Sequence, residues 1–590
     1  MKTLLLVVLL VLPWLGMAQG VPLEVTRVQP QRAEVRVDTL FTDFGQDAYG
    51  TLELTFRMPP PAGEYTVRLG EKLSADGTID RKPPGSVNYR EIELVPRDGK
   101  RVYKLKIPGK PAHQNPAAVK MPLQIGEVTP FRYAEVEGPS GALTDVRVVH
   151  LAVHAPFNEA TSDFESSDPT LNAVWKLCKH TMEATTAFGI YIDGERERTP
   201  YEADTYINLL SHYACDLDPR VAHATFGHLL DHPTWPTEWG LQMPTIAEAD
   251  YEATGDIVLA KQNYDTLKSR LLARKTRADG LLVASAIVDW PASERDGYNG
   301  GAVDPLEKRQ IGPMVNTVAN AFYFRALESM SRLAAALGKQ ADATVFSQKA
   351  DHVYAAFNSV FFDSARCIYI DGEGSPHASL HANMFPLASG LVPKDREKTV
   401  ADFVESRGMA CSVYGAQYLL EALYQSGRAD AALALLTSHS MRSWWHMLEL
   451  GSTLTLEAWD PMVKPNLTWN HAWGSAPANI IARYVLGVRP LAPGYSRTLI
   501  APHPGNLVWM RGKVPTPRGP IEVGWQGAAD RLDVEIPLGI TATIELPPQM
   551  PAGLITVNGK PVKPTSEQGH LKIESLPSGR YTIVVARKGD

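Results

Sequence analysis

The sequence predicts a multidomain protein: a central all-α toroid flanked by N- and C-terminal antiparallel β-sandwich domains. Three observations carry that prediction. Hydrophobic and polar residues alternate with period two up to about residue 155, recur at three- and four-residue spacing across 168–486, and alternate again after Gly494. The chain is 590 residues long, 44% hydrophobic and 21% charged, the mix of an ordinary globular protein. Its 58 basic and 65 acidic side chains leave a formal charge of −7, so electrostatics give no reason to expect a nucleic-acid partner or an anionic membrane surface.

Residues 1–18 read as a cleavable signal peptide. Lys2 precedes an apolar run at 4–12, then Pro13 and the small-residue stretch Gly16-Met17-Ala18. The run is shorter than the ~20 residues of a membrane span, and no Cys follows the cleavage site. A secreted or periplasmic protein without a membrane anchor is therefore expected.

The first sandwich is expected over 19–160. Residues 51–58 alternate strictly until Pro59-Pro60-Pro61 stops them, and 65–69, 103–107, 132–136 and 144–153 repeat the pattern between Pro- and Gly-rich turns. Residues 161–490 are expected to be the helical catalytic block. Segments 171–182, 315–337, 342–357, 412–426, 429–437 and 476–486 are amphipathic at helical spacing. Paired helices joined by long loops such as 289–303 suit a toroid better than a simple bundle. Residues 491–590 return to strands at 532–537, 541–546 and 580–586, with Asn558-Gly559 as a hairpin turn. The cysteines Cys178, Cys215, Cys367 and Cys411 form no CxxC pair and are read as buried small hydrophobes.

Two segments concentrate chemistry. The first, Asp193-Gly194-Glu195-Arg196-Glu197-Arg198-Thr199-Pro200-Tyr201-Glu202-Ala203-Asp204, sets five carboxylates and two arginines at the mouth of a helix, with Gly and Pro denying it regular structure. A solvated, salt-bridged loop is the competing reading. The second runs from Glu449 through Gly451, Glu457, Trp459 and Asp460 to Trp469-Asn470-His471-Ala472-Trp473-Gly474. Carboxylates interleaved with Trp and His suit a sugar, whose C–H faces stack on rings while acids and amides bind its hydroxyls; a Trp-rich core is the alternative. Trp239, Trp290 and Trp445 sit in loop-like contexts as pocket walls or core rings, and Asp289 as a hydroxyl ligand or an Asx cap. His228 and His232 have the i, i+4 spacing of a zinc pair, but Pro233 follows and no third ligand is placed, so no metal or cofactor is expected.

Together these segments resemble the α-L-rhamnosidases of glycoside hydrolase family 78. Arg196-Glu197 and Asp204, with Asp193 upstream, fit the family's acidic motif, although Tyr201 stands where a Trp is usual and Ala203 replaces a Gly. Gly451–Asp460 fits the second motif with Leu456 in place of its first Trp, and Asn470-His471-Ala472-Trp473-Gly474 fits the third, one residue short. Residues 487–495 and 516–519 resemble the family's exit into its C-terminal sandwich, so the likeness runs from about Asp168 to the end.

The resemblance implies an (α/α)6 barrel and an exo-acting, inverting hydrolase that releases α-L-rhamnose or a close mimic from plant or algal polysaccharide. It makes Glu197 the general acid and Glu457 the general base, with Asp193, Arg196, Asp204 and His471 lining the sugar and Trp239, Asp289, Trp290, Trp445 and Trp459 as further substrate contacts. Glu195 and Glu202 remain open as alternative acids. Two other functions stand beside this one: another activity on the same toroid, such as a different glycone hydrolase or a polysaccharide lyase, and a secreted sugar binder without catalysis. Carboxylate-dominated sites favour hydrolysis of a neutral deoxysugar over a lyase.

Overall fold

The structure, a computed structural model, describes residues 20–587 except 98, 140, 305–308, 552 and 568. The signal peptide expected at 1–18 lies outside the described residues. β1 (Glu24–Val28), β2 (Arg32–Arg36), β3 (Thr39–Phe56), β4 (Tyr65–Gly70), β5 (Tyr89–Leu94), β6 (Val102–Lys104), β7 (Thr129–Glu137) and β8 (Val146–His154) form one antiparallel sheet. Its order is β1-β8-β3-β7-β4-β5, with β2 and β6 also paired to β3. The long β3 folds this sheet over on itself. Its first half pairs with β2 and β7, its register slips between Asp43 and Ala48, and its second half pairs with β8 and β6. The enclosed face buries Leu52, Leu54, Phe56, Tyr65, Val67, Phe131 and Val136, the apolar half of the alternation.

The helical block alternates outer and inner helices. Pro169–Ala184, Arg220–Asp231, Val258–Ser269, Gln340–Val360, Lys394–Arg407 and Ala429–Leu436 lie outside. Glu202–Cys215, Met243–Thr254, Thr317–Ala336, Leu380–Ala388, Val413–Gln425 and Ala476–Ile480 lie inside. The inner helices pack on one another in chain order, and the last packs on the first, which closes the ring. Sequence explains the division. Lys394–Arg407 buries only Val400, Ala401 and Val404, a narrow stripe, whereas Val413–Gln425 is buried from Val413 to Tyr424. Side-chain caps start several of these helices: Asp168, Asn316, Ser379 and Ser412 each accept a first-turn N–H. Strict alternation makes the inner helices run one way, so the loops that precede them gather at one end of the toroid. Among the described residues, no helix is long and apolar enough to cross a membrane.

The C-terminal strands form two sheets. Strand Asp163–Ser166, just ahead of the first barrel helix, pairs with Trp509–Val514 and joins the larger one. The C-terminal strands pair antiparallel as expected with one exception, Arg497–Ile500, which runs parallel to Thr541–Glu545; alternation carries no information on strand direction. The cysteine expectation needs a correction. Cys178, Cys215 and Cys411 are buried, but Cys367 is exposed, because it occupies the left-handed position (φ 55°) of the turn between two short strands.

Candidate active site

The loops that precede the first and last inner helices meet at that common end. Gly194 shows how closely: at φ 95° its missing Cβ would lie 2.9 Å from both Asn470 Oδ1 and Thr468 Oγ1, so only glycine fits. A pocket of about 190 Å³ opens there, lined by Asp193, Arg196, Glu197, Tyr201, Asp204, Trp235, Trp239, Ile287, Trp290, Glu457, His471 and Trp473.

Arg196 organises it. Its Nη1 and Nη2 each donate to one oxygen of Glu457 at 3.0 Å, a bidentate pair, while Nε donates to Glu197 Oε1 at 3.1 Å. Nη2 also lies 3.0 Å from Glu197 Oε1. The nearest oxygens of the two glutamates are therefore no further apart than two 3.0 Å legs laid end to end.

Glu457 is only 2% exposed. Besides Arg196 it receives Lys464 Nζ at 3.0 Å on Oε1 and the Thr468 backbone N–H at 3.0 Å on Oε2. All of its about four acceptor sites are thus filled. Burial pushes its pKa up, but the charges of His471, Arg196 and Lys464 outweigh burial and hold it below the usual glutamate value. It is held as a carboxylate.

Glu197 has a different setting. Its side chain is 43% exposed, and Tyr201 Oη donates to Oε2 at 3.1 Å. Tyr201 also packs edge-on against Trp239, with ring centroids 5.5 Å apart. Asp193 is buried beside it, its Oδ1 accepting the Thr199 N–H at 2.9 Å. Burial first, and the Glu197 charge second, push Asp193 well above the usual carboxyl range. Asp204, in the first turn of Glu202–Cys215, lies 2.9 Å from His471 Nε2. Burial raises Asp204, and His471 partly offsets it.

Of the expected site residues, Glu197, Glu457, Asp193, Arg196, Asp204, Trp239, Trp290 and His471 share this pocket. Three do not. Asp289 is fully buried, bonded to His381 Nε2 and to the Ser412 N–H and hydroxyl, where it ties its loop to the starts of the inner helices Leu380–Ala388 and Val413–Gln425. Trp459 is also fully buried; it donates to Cys411 O at 2.8 Å and packs edge-on against Trp444. Trp445 points away, stacked on His439 and bonded to Glu449. The alternative acids face elsewhere too. Glu195 pairs with Arg198 and Lys110 on the side of the N-terminal sheet, and Glu202 accepts from Thr234. Trp473, part of the motif read from sequence, lines the pocket, whereas Trp235 and Lys464 carry no such motif. The Pro-flanked loop around Trp235 was the available signal for the first; nothing in the spacing marked Lys464.

Two facing carboxylates in a Trp-walled pocket at the mouth of a six-hairpin toroid define a glycosidase architecture. The chain belongs to the bacterial α-L-rhamnosidase six-hairpin glycosidase family: residues 159–485 match the bacterial α-L-rhamnosidase 6 hairpin glycosidase domain, and 487–559 the C-terminal domain of the same proteins. It is 24% identical over 602 residues to an α-L-rhamnosidase of Alteromonas sp. (strain LOR), covering 93% of this chain and 59% of that one. It is 25% identical over 366 residues to one from Formosa agariphila, covering 58% and 38%. The chain thus spans well under two thirds of either relative. In fold it resembles the α-L-rhamnosidase of Dictyoglumus thermophilum (TM-score 0.78, 19% identity, 96% of this chain and 64% of that one). It also resembles that of Streptomyces avermitilis, solved with L-rhamnose (TM-score 0.75, 20% identity, 96% and 54%). These likenesses include the N-terminal sheet, beyond the Asp168 start expected from sequence.

Two outcomes are expected. Lys464→Met removes a charge that lowers the Glu457 pKa, so the acid limb of a kcat/KM–pH profile moves to higher pH; an unmoved limb, or one shifted lower, contradicts the assignment of the titrating base. Trp459→Phe leaves the Cys411 carbonyl unpaired and costs about 1–3 kcal/mol in urea denaturation with KM unchanged; a raised KM at unaltered stability would put that ring in the sugar site.

Proposed function

We propose that the chain is an exo-acting glycoside hydrolase that releases terminal α-L-rhamnose, or a close mimic, from plant or algal oligosaccharides or glycosides with inversion. One observation carries the reading: Glu197 and Glu457, from opposite ends of the barrel sequence, share the Arg196 guanidinium in one pocket yet differ in environment. Hydrolysis of a glycoside requires one carboxyl that gives a proton to the leaving oxygen and one carboxylate that takes a proton from water.

Glu197 is the acid. It stands half-exposed where a leaving group exits, with Oε2 held by the Tyr201 hydroxyl and the buried Asp193 beside it. Glu457 is the base, kept ionised by Arg196, Lys464 and His471. Because its acceptor sites are all filled, a water gains one only when a donor leaves. Arg196 is the donor able to go, since its side chain is 20% exposed while that of Lys464 is 4% exposed, and sugar hydroxyls offer Arg196 new acceptors. Release of that bridge also lets the carboxyls separate toward the about 6.5–9.5 Å of inverting enzymes. The small Trp-walled pocket suits a terminal sugar rather than the middle of a chain, and the Streptomyces relative solved with L-rhamnose supports the choice of glycone. Export from the cell and the domain limits 19–160, 161–490 and 491–590 belong to the same proposal.

Glu197→Gln should slow hydrolysis of rhamnosides with poor leaving groups by about 10²–10⁴-fold, and that of activated aryl rhamnosides far less. Equal losses on both would remove Glu197 from the acid role. Glu457→Gln should abolish turnover of both classes, and a variant that still cleaves the aryl substrates well would place the base elsewhere. If the wild-type chain cleaves no rhamnoside, the choice of glycone is wrong.

A further inference from the structure

The acid loop is closed by its own bonds, Asp193 N–H to Thr199 O and Arg198 N–H to Gly194 O, each at 3.0 Å, and is held from outside as well. Arg198, within it, is 1% exposed and carries a left-handed backbone (φ 55°) that a long side chain rarely adopts. Partners on the N-terminal sheet and its connections hold it there. The guanidinium donates to Val128 O at 3.0 Å and pairs with Glu127 at 2.7 Å, and the Arg198 carbonyl accepts the Val119 N–H at 2.8 Å. His113 Nε2 lies 2.8 Å from the Glu195 carbonyl, and Lys110 pairs with the Glu195 carboxylate at 3.1 Å.

The centre of this contact is Asn470, the residue before His471. Its Oδ1 accepts the backbone N–H of Glu195 at 2.8 Å and the Tyr49 hydroxyl at 2.9 Å, while its Nδ2 donates to Glu71 Oε1 at 2.7 Å. All four residues are buried. The chemistry admits one orientation of that amide. Glu71 accepts and the Glu195 N–H only donates, so a flipped Asn470 would turn its NH₂ on the Glu195 N–H and its oxygen on the Glu71 carboxylate. Glu71 itself is locked, because its other oxygen takes the Asn88 N–H, and Asn88 is bound in turn to Thr129, Pro130 and Lys110.

We infer that Glu71, at the end of β4 and acting through Asn470, is a positioning residue that sets the backbone at Glu195 and thereby where Arg196 and Glu197 point. The inference rests on the reading of Glu197 as the acid. It makes the N-terminal sheet a working part of the site rather than an appended sugar-binding module.

The test compares Glu71→Met, of similar length but unable to accept a hydrogen bond, with Glu71→Gln, which keeps an acceptor for Asn470, both in the full chain. Kinetics on aryl rhamnosides of graded leaving-group pKa are joined to amide hydrogen exchange. The Met variant is expected to lose about tenfold or more in kcat on poor leaving groups, with a much smaller loss on activated ones, and to speed exchange at 193–199 by about tenfold while the inner helices stay protected. The Gln variant, whose one carbonyl oxygen serves Asn470 while its NH₂ then faces the Asn88 N–H, is expected to recover part of both. Loss of the same factor on every substrate, as a smaller folded fraction gives, overturns the inference, and so does unaltered exchange at 193–199 in the Met variant. If the wild-type chain proves inactive on rhamnosides, the functional reading fails on its own, and the exchange result still decides whether Glu71 holds the loop.

Discussion

The Arg196 guanidinium is the constraint on which the site depends. A glutamate as buried as Glu457 is stable as an ion only when paired and hydrogen-bonded, and Arg196 supplies two of the bonds that keep it so. The same group reaches Glu197, so one cation relates a buried carboxylate to a half-exposed one. The toroid makes that meeting possible. Helix Ala476–Ile480 closes the inner ring against Glu202–Cys215, so the loops ahead of these two helices face each other although the chain separates them widely. Gly194 then permits a backbone approach that a side chain would block.

Much of this was legible in the sequence, for physical reasons. The change in hydrophobic period marks where strands give way to helices, because each element must turn its apolar residues to one side. The density of carboxylates and Trp around 193–204 and 457–474 marked both site loops. What the sequence does not show is which way neighbouring side chains point. Glu195 and Arg198 turn to the N-terminal sheet, and Arg196 and Glu197 turn to the pocket. Trp444 is core, and Trp445 is half-buried outside the pocket. Asp289 has the look of a loop ligand, yet its partners His381 and Ser412 lie about a hundred residues away and make it a buried anchor. Lys464 carries no motif at all; only the folded loop brings it to Glu457.

Tyr201, in place of the family's usual Trp, illustrates how a departure from a pattern acquires a role. The ring packs edge-on against Trp239, and its hydroxyl donates to Glu197 Oε2. The N-terminal sheet likewise does more than flank the barrel. Through Tyr49, Glu71, His113 and Val128 it shares a buried hydrogen-bond network with Asn470 and the loop that carries Glu197.

The most direct test of the acid–base pair is the anomer that leaves the enzyme. Proton NMR of para-nitrophenyl α-L-rhamnoside during hydrolysis by the protein resolves the two forms of the sugar before they equilibrate. With Glu197 as acid and Glu457 activating a water on the opposite face, β-L-rhamnose appears first and the α form grows only as mutarotation proceeds. First appearance of α-L-rhamnose would make Glu457 a nucleophile and contradict the account.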